Sequence, residues 1–161
     1  MSESCRRMAL LTENEALSME MLGAVVEQMK AGQSIQRVGF RGVSMLPMLR
    51  QNKDAVDLQK PPEKLKKYDL PMYKGPSGKY VMHRIIKVKE DHYVCRGDHT
   101  YHPEMVKREQ MAAVVCAFYR NGRRIPVTSK GYQLYCRCWH AIFPIRAFCH
   151  YAKKCLRKLF K

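Results

Sequence analysis

Apolar and polar positions recur along this chain with two different periods, and the changes of period divide it into three zones. In the first, Thr12 and Glu15 form a capping box, and Leu17, Met21, Val25 and Met29 follow at helical spacing as far as Gly32. This predicts an amphipathic helix of about five turns. From Ile35 the period shortens to two. Gln36–Val43, Ala55–Leu58, Tyr68–Tyr73, Tyr80–Val88, Tyr93–Arg96 and Met111–Arg120 read as strands between turn signals such as Pro61-Pro62 and Gly75-Pro76-Ser77-Gly78. Pro71 has no N–H for a ladder, which predicts an edge position for its strand. Asn121-Gly122 is a type I′ hairpin signal joining Tyr119-Arg120 to Arg123–Val127. Helical periodicity returns at Gly131, with a break expected at Pro144. Beyond the proline, Ile145, Phe148, Ala152, Cys155, Leu156 and Leu159 line one face, and Arg146, Lys153, Lys154, Arg157, Lys158 and Lys161 take much of the rest. The expected architecture is mainly β: an N-terminal helix in 1–34, meandering antiparallel sheets in 35–128 and basic amphipathic helices in 129–161, with no βαβ rhythm.

Charge sharpens this picture. The formal net charge is +16 over 161 residues, and it is spread unevenly. From Gln110 to Lys161 there are eleven Lys/Arg and no Asp/Glu, against nineteen basic and fourteen acidic residues in 1–109. A one-sided basic tail points to a polyanionic surface, either anionic lipid or nucleic acid, with a solubilising basic surface as the plain alternative. Nucleic acid is the poorer fit, because the tail carries no interleaved aromatic platform and no recognised binding motif. The apolar stripe bordered by basic residues predicts a helix lying in the plane of an anionic membrane. The competing expectation is that the stripe packs on the β domain.

Nothing in the chain reads as a membrane span, since the longest uncharged stretch, Gln110–Tyr119, has ten residues where about twenty are needed. Met8–Leu11 is too short for a secretory h-region, so the expected location is the cytoplasm, at most peripheral on a membrane. Seven cysteines, an odd count at irregular spacing, make a poor disulfide framework and fit that compartment. Cys136, Cys138, His140, Cys149, His150 and Cys155 cluster locally without the C-x₂-C spacing of a zinc site. No metal or cofactor is expected, and these cysteines are read as small buried apolar residues.

Candidate chemistry centres on two residues. Gly42-Val43-Ser44-Met45-Leu46-Pro47 sets a serine behind a glycine and just ahead of a proline-fixed turn, where it can be held rigidly while a substrate backbone approaches. A serine is a poor nucleophile without a positioned base. His83 is the histidine set in the middle of a strong strand, and Val81, His83 and Ile85 share a face by alternation. An imidazole among apolar neighbours is either a satisfied core histidine or a functional one.

Gly42–Leu49 resembles the serine box of the signal peptidase I superfamily, which includes the LexA-type self-cleaving repressors. Three further stretches follow in that family's order. Lys67-Tyr68-Asp69-Leu70-Pro71-Met72-Tyr73 is similar to its G-D-[IL]-V-hydrophobic segment, Tyr80–Ile86 to the strand bearing the base, and Cys95-Arg96-Gly97-Asp98-His99 to the closing G-D-N box. The resemblance implies a signal peptidase/LexA-like catalytic domain with Ser44 as nucleophile and His83 as base. Histidine before Arg84, in place of the lysine of bacterial members, resembles the archaeal and endoplasmic-reticulum branch. There the Asp of the last box is also implicated, which would make Asp98 the carboxylate that orients the imidazole. The alternative for Asp98 is a Gly-Asp turn whose carboxylate caps local backbone. Gly42 stands where many signal peptidases carry a serine that helps bind the oxyanion. The oxyanion hole would then rest on backbone around Gly42, Ser44 and Met45. His99 replaces the amide of the closing box, and no transmembrane anchor of the signal peptidase kind is expected. The implied activity is endoproteolytic removal of a leader or signal-like segment from a precursor polypeptide. Self-cleavage is a second expectation: 1–34 is too short for a DNA-binding domain plus linker, although Ala31-Gly32 is a suitable bond. A non-catalytic basic binding module is a third.

Overall fold

The computed structural model describes residues 34–75 and 78–159. The predicted N-terminal helix and the Ala31-Gly32 bond lie outside them. The described chain is mainly β, with two antiparallel sheets and two C-terminal helices. The strands are β1 (Ile35–Gly39), β2 (Ala55–Gln59), β3 (Pro71–Lys74), β4 (Tyr80–Met82), β5 (Arg84–Val88), β6 (Tyr93–Arg96), β7 (Glu104–Val106), β8 (Met111–Arg120) and β9 (Arg123–Pro126). The helices are α1 (Lys130–Ala141) and α2 (Phe143–Leu159).

The larger sheet runs β1-β2-β8-β3-β4, with β9 also on β8, and the smaller runs β5-β6-β7. Strand β8 is the spine of the larger sheet. It pairs with β2 along one side, while its first half meets β3 and its second half meets β9 on the other. The hairpin to β9 turns where predicted, with Asn121 and Gly122 at φ 51° and 77°.

Four expectations from the sequence change. Strand β1 ends at Gly39 rather than Val43, because Gly42 takes φ 121° and turns the chain away. Strand β3 begins at Pro71 rather than Tyr68, since Tyr68 has φ 79° and the Asp69 carboxylate caps the N–H of Lys66. Nor is β3 an edge: it lies between β8 and β4. As the first residue of the strand, Pro71 does not need to donate, and the ladder is kept by Val115 N–H bonding to Leu70 O at 3.0 Å. The third change is β7, to which the sequence pattern assigned no strand. The fourth is at Pro144, which sits in the first turn of α2, where its fixed φ is tolerated; the helices break two residues earlier, at Ile142.

Two apolar clusters hold the fold. The first joins strand residues such as Val56, Leu58, Val115 and Phe118 to Met45, Met48 and Leu49 of the serine box, and to Tyr132 and Cys136 of α1. The second contains Leu65, Tyr73, Ile85, Tyr93, Cys95, Val106 and Val114, and so joins the two sheets. Burial at this level is worth about 1.5–3 kcal/mol per large side chain, which makes the serine box part of the core rather than a loop laid over it.

Candidate active site

Ser44 opens a compact turn, with Leu46 N–H bonded to Val43 O at 3.2 Å and Leu49 N–H to Met45 O at 2.9 Å. The turn is pinned by its apolar residues: Met45 and Met48 are each 3% exposed and Leu49 is fully buried, whereas Val43 faces solvent. Ser44 therefore sits at the boundary between core and surface. The N–H of Gly42 is already committed to the side-chain oxygen of Gln51 at 3.0 Å, so Gly42 is not an oxyanion donor as expected. Among the described residues, the N–H groups of Ser44 and Met45 have no acceptor.

A second segment closes on this turn. His99 N–H donates to Ser44 O at 2.7 Å. A Cβ placed on Gly97 would lie 2.6 Å from Ser44 O and 3.0 Å from its Cβ, so only glycine permits this approach. The G-D box thus holds the serine box by backbone contact.

His83 occupies the single residue between β4 and β5, where the chain leaves the larger sheet and enters the smaller. The predicted strand Tyr80–Val88 is therefore two strands with the histidine at the switch. Val81 and Ile85 still border one cluster, so the face inferred from alternation survives the break. His83 is buried, and its Nδ1 lies 3.1 Å from the Tyr73 hydroxyl and 3.4 Å from a Glu104 oxygen. Tyr73 Oη donates to Glu104 at 2.5 Å. With that hydroxyl proton committed, the Nδ1–H of His83 donates to the Tyr73 oxygen, which leaves Nε2 as the nitrogen with a free lone pair. The only sealed and unpartnered side-chain nitrogen among the described residues is Nδ1 of His140, so Nε2 of His83, also without a protein partner, remains accessible. Burial lowers the His83 pKa below its ordinary 6.5, with Glu104 and then Asp98 opposing the shift. The neutral form required of a general base is thus favoured near pH 7. Burial and the Glu104 contact push the Tyr73 phenol far above its ordinary range, keeping it protonated as a donor.

Asp98 is placed elsewhere. Both carboxylate oxygens are held by Arg84, from Nε at 2.8 Å and Nη2 at 2.7 Å, and Tyr135 Oη adds a bond at 3.3 Å. Arg84 also donates to Tyr132 Oη at 2.7 Å. Burial opposes charge on Arg84, but Asp98 together with Tyr132 and Cys136 outweighs it and keeps the guanidinium protonated. The backbone oxygen of Asp98 accepts from Trp139 Nε1 at 3.0 Å and from Arg146. The expectation that Asp98 contacts the imidazole is corrected on this point: the neighbouring guanidinium takes its carboxylate, and Tyr73 and Glu104 occupy the imidazole instead. The turn-capping alternative is also displaced, since the carboxylate serves a distant arginine.

The structure thus gathers Ser44, Gly97, Asp98 and Arg84 through direct contacts, and His83 adjoins Arg84 in the chain. No hydrogen bond joins the Ser44 hydroxyl to His83 among the described residues. Such bonds in unliganded sites are often long and tighten only with substrate. Sequence reasoning missed Tyr73 and Glu104. Tyr73 stood at the end of the second box, but Glu104 gave no signal, because only the β6–β7 pairing, with Glu104 opposite Cys95, carries it there. Among the described residues, no group of three or more His, Cys, Asp and Glu side chains is placed to hold a metal. Of the tail cysteines, Cys136 is buried but Cys138, Cys149 and Cys155 are exposed, contrary to the expectation of buried apolar roles. Comparison with protein families, with curated proteins and with solved structures found no match to this chain.

Proposed function

We propose that this protein is a serine endopeptidase of the signal peptidase/LexA kind, acting on a precursor polypeptide through Ser44 and His83. The observation that carries this reading is the state of His83: Nδ1 is engaged by Tyr73 and Glu104, Nε2 is free, and the residue adjoins an Arg84–Asp98 pair whose turn packs on Ser44. In the proposed reaction, Nε2 accepts the Ser44 proton as Oγ attacks the scissile carbonyl. The tetrahedral oxyanion is received by the free N–H groups of Ser44 and Met45. The imidazolium then protonates the leaving amine, and water, activated by the same nitrogen, releases the acyl group. Glu104, acting through Tyr73, holds the ring in the required tautomer and favours its charged form.

Intact-mass spectrometry of the full chain, alone and with candidate precursor peptides, tests the proposal. Cut peptides, and an acyl adduct that disappears in Ser44→Ala, are expected. A spontaneous cut near Ala31 would assign self-cleavage. Neither cut nor adduct across a broad peptide set would leave the non-catalytic binding module.

A further inference from the structure

Helix α2 is docked with its apolar stripe turned away from the domain. On the docked side, the Arg96 guanidinium lies 3.2 Å from the centre of the Phe143 ring, Arg146 covers Trp139 at 3.7 Å, and His150 stacks on Tyr101 at 3.9 Å. At 100° per residue, Phe143, Arg146 and His150 share one side, while Ile145, Phe148, Ala152 and Leu156 fall opposite. Ile145, Phe148 and Leu156 are accordingly 67%, 75% and 53% exposed. An ordinary surface helix turns such a stripe inward. Of the nine large apolar side chains exposed among the described residues, three, Ile145, Phe148 and Leu156, lie on this one helix face. A concentration of this kind marks a docking surface.

Charge selects the occupant. Lys153, Lys154 and Arg157 are exposed on the same helix, and no acidic residue occurs anywhere from Gln110 to Lys161. A second copy of the chain would bring one basic helix against another in a molecule already at +16. Nucleic acid would satisfy the charges and leave the apolar stripe bare. An anionic bilayer satisfies both: the stripe enters the acyl boundary, Lys153 flanks it within reach of the headgroups, and Lys154 and Arg157 on the polar face add attraction to the anionic surface at longer range. No described helix is long and apolar enough to cross a membrane, so insertion is in-plane. We propose that α2 docks this protein on anionic lipid.

The position of the helix gives the docking a consequence. The 98–101 segment binds α2 through Asp98 O and Tyr101, and binds Ser44 through His99 N–H. A lipid-bound α2 therefore holds Ser44 close to the bilayer, where membrane-associated precursors would be presented. The docking itself does not depend on the peptidase reading.

The test is co-sedimentation of the full chain with phosphatidylcholine vesicles containing increasing fractions of phosphatidylserine. Binding should rise with the anionic fraction and weaken about tenfold or more between low and high salt. Ile145→Ser/Phe148→Ser should abolish most binding without moving the thermal melt, since both side chains are exposed and lose no core contact. Binding indifferent to lipid charge, equal binding by the double variant, or no binding at low salt would each overturn the proposal. So would a concentration-dependent dimer, seen by analytical ultracentrifugation and abolished by the same variant, because it would assign the stripe to self-association.

Discussion

Two adjacent residues, His83 and Arg84, look into two polar clusters built on opposite designs. Around Arg84 the charges are bonded on every side: guanidinium with carboxylate, Tyr132 and Tyr135 with that pair, and the Asp98 backbone oxygen with Trp139 and Arg146, while Nδ1 of His140, lining the same small cavity, is sealed without a partner. Around His83 one nitrogen is fixed and the other is left open. A buried pair of charges held from several sides fixes geometry, since each member is costly to leave unpaired. A ring nitrogen left open keeps capacity for a substrate. On the proposed function, structure falls to the arginine side and chemistry to the histidine side, even though both carry a carboxylate within reach of the same dipeptide.

The sharpest way to break this comparison is to remove the open nitrogen. His83→Ala and Ser44→Ala should each lower the cleavage rate about ten-thousandfold or more, because nucleophile and base act as a unit. Ser44→Ala should scarcely alter stability, whereas His83→Ala deletes a buried ring bonded to Tyr73, so its rate is taken per folded molecule. A variant retaining turnover within about tenfold of the parent would remove the dyad.

The next effect belongs to the other cluster. Asp98→Asn leaves the Arg84 charge buried, at 3% side-chain exposure, without a counterion. Removing one partner of a buried pair costs about 3–5 kcal/mol, a large part of a small domain's stability. Denaturant unfolding should report that loss, while the rate per folded molecule, obtained by active-site titration, should change little. A rate collapse at unchanged stability would return the orienting role to Asp98.

How much of this was legible in the sequence follows from the same two clusters. Period-two patterning located most strands, and the Asn-Gly signal placed the β8–β9 hairpin, because both depend on residues close in the chain. Ser44 and His83 were singled out as candidates by local setting and resemblance, and their roles belong to the proposed function. The choice between Asp98 and Glu104 was not, since it depends on a one-residue change of sheet at His83 and on the register that sets Glu104 opposite Cys95. A strand read as continuous would send His83 wherever Val81 and Ile85 point, and gives no means of telling which carboxylate waits there. The orientation of α2 was likewise hidden: its stripe is plain in the sequence, but which side docks is decided by Tyr101, Arg96 and Trp139, from other parts of the chain.

A smaller effect is expected at Tyr73. Tyr73→Phe removes the oxygen that accepts from His83 Nδ1 and interrupts the route to Glu104. Glu104 alone, 3.4 Å from Nδ1, then holds the tautomer less firmly, so the rate should fall about tenfold to a hundredfold, with little change in substrate affinity. A fall in affinity at constant rate would place the phenol in substrate binding instead.

The smallest effect, and the one that discriminates best between the carboxylates, is in the pH profile. Burial lowers the His83 pKa below 6.5, so the acid limb of kcat/KM should lie below pH 6.5, with a plateau above it. Glu104 is the larger of the two carboxylate influences opposing that shift, and Asp98 the smaller. Arg84 neutralises Asp98 at close range, whereas Glu104 lies 3.4 Å from Nδ1. Glu104→Gln removes an upward push and should therefore move the acid limb further down in pH, with Asp98→Asn moving it less. The same shift reaches stability. Because the folded state resists protonating His83, the unfolded chain binds more protons below pH 6.5, and this contribution to stability is lost as pH falls. Acid unfolding of the parent and of Glu104→Gln, followed alongside the rate profile, checks both signs at once. A limb that moves up in Glu104→Gln, or moves further in Asp98→Asn, would mean that the carboxylate facing the imidazole during the reaction is Asp98, and the division between the two clusters would have to be redrawn.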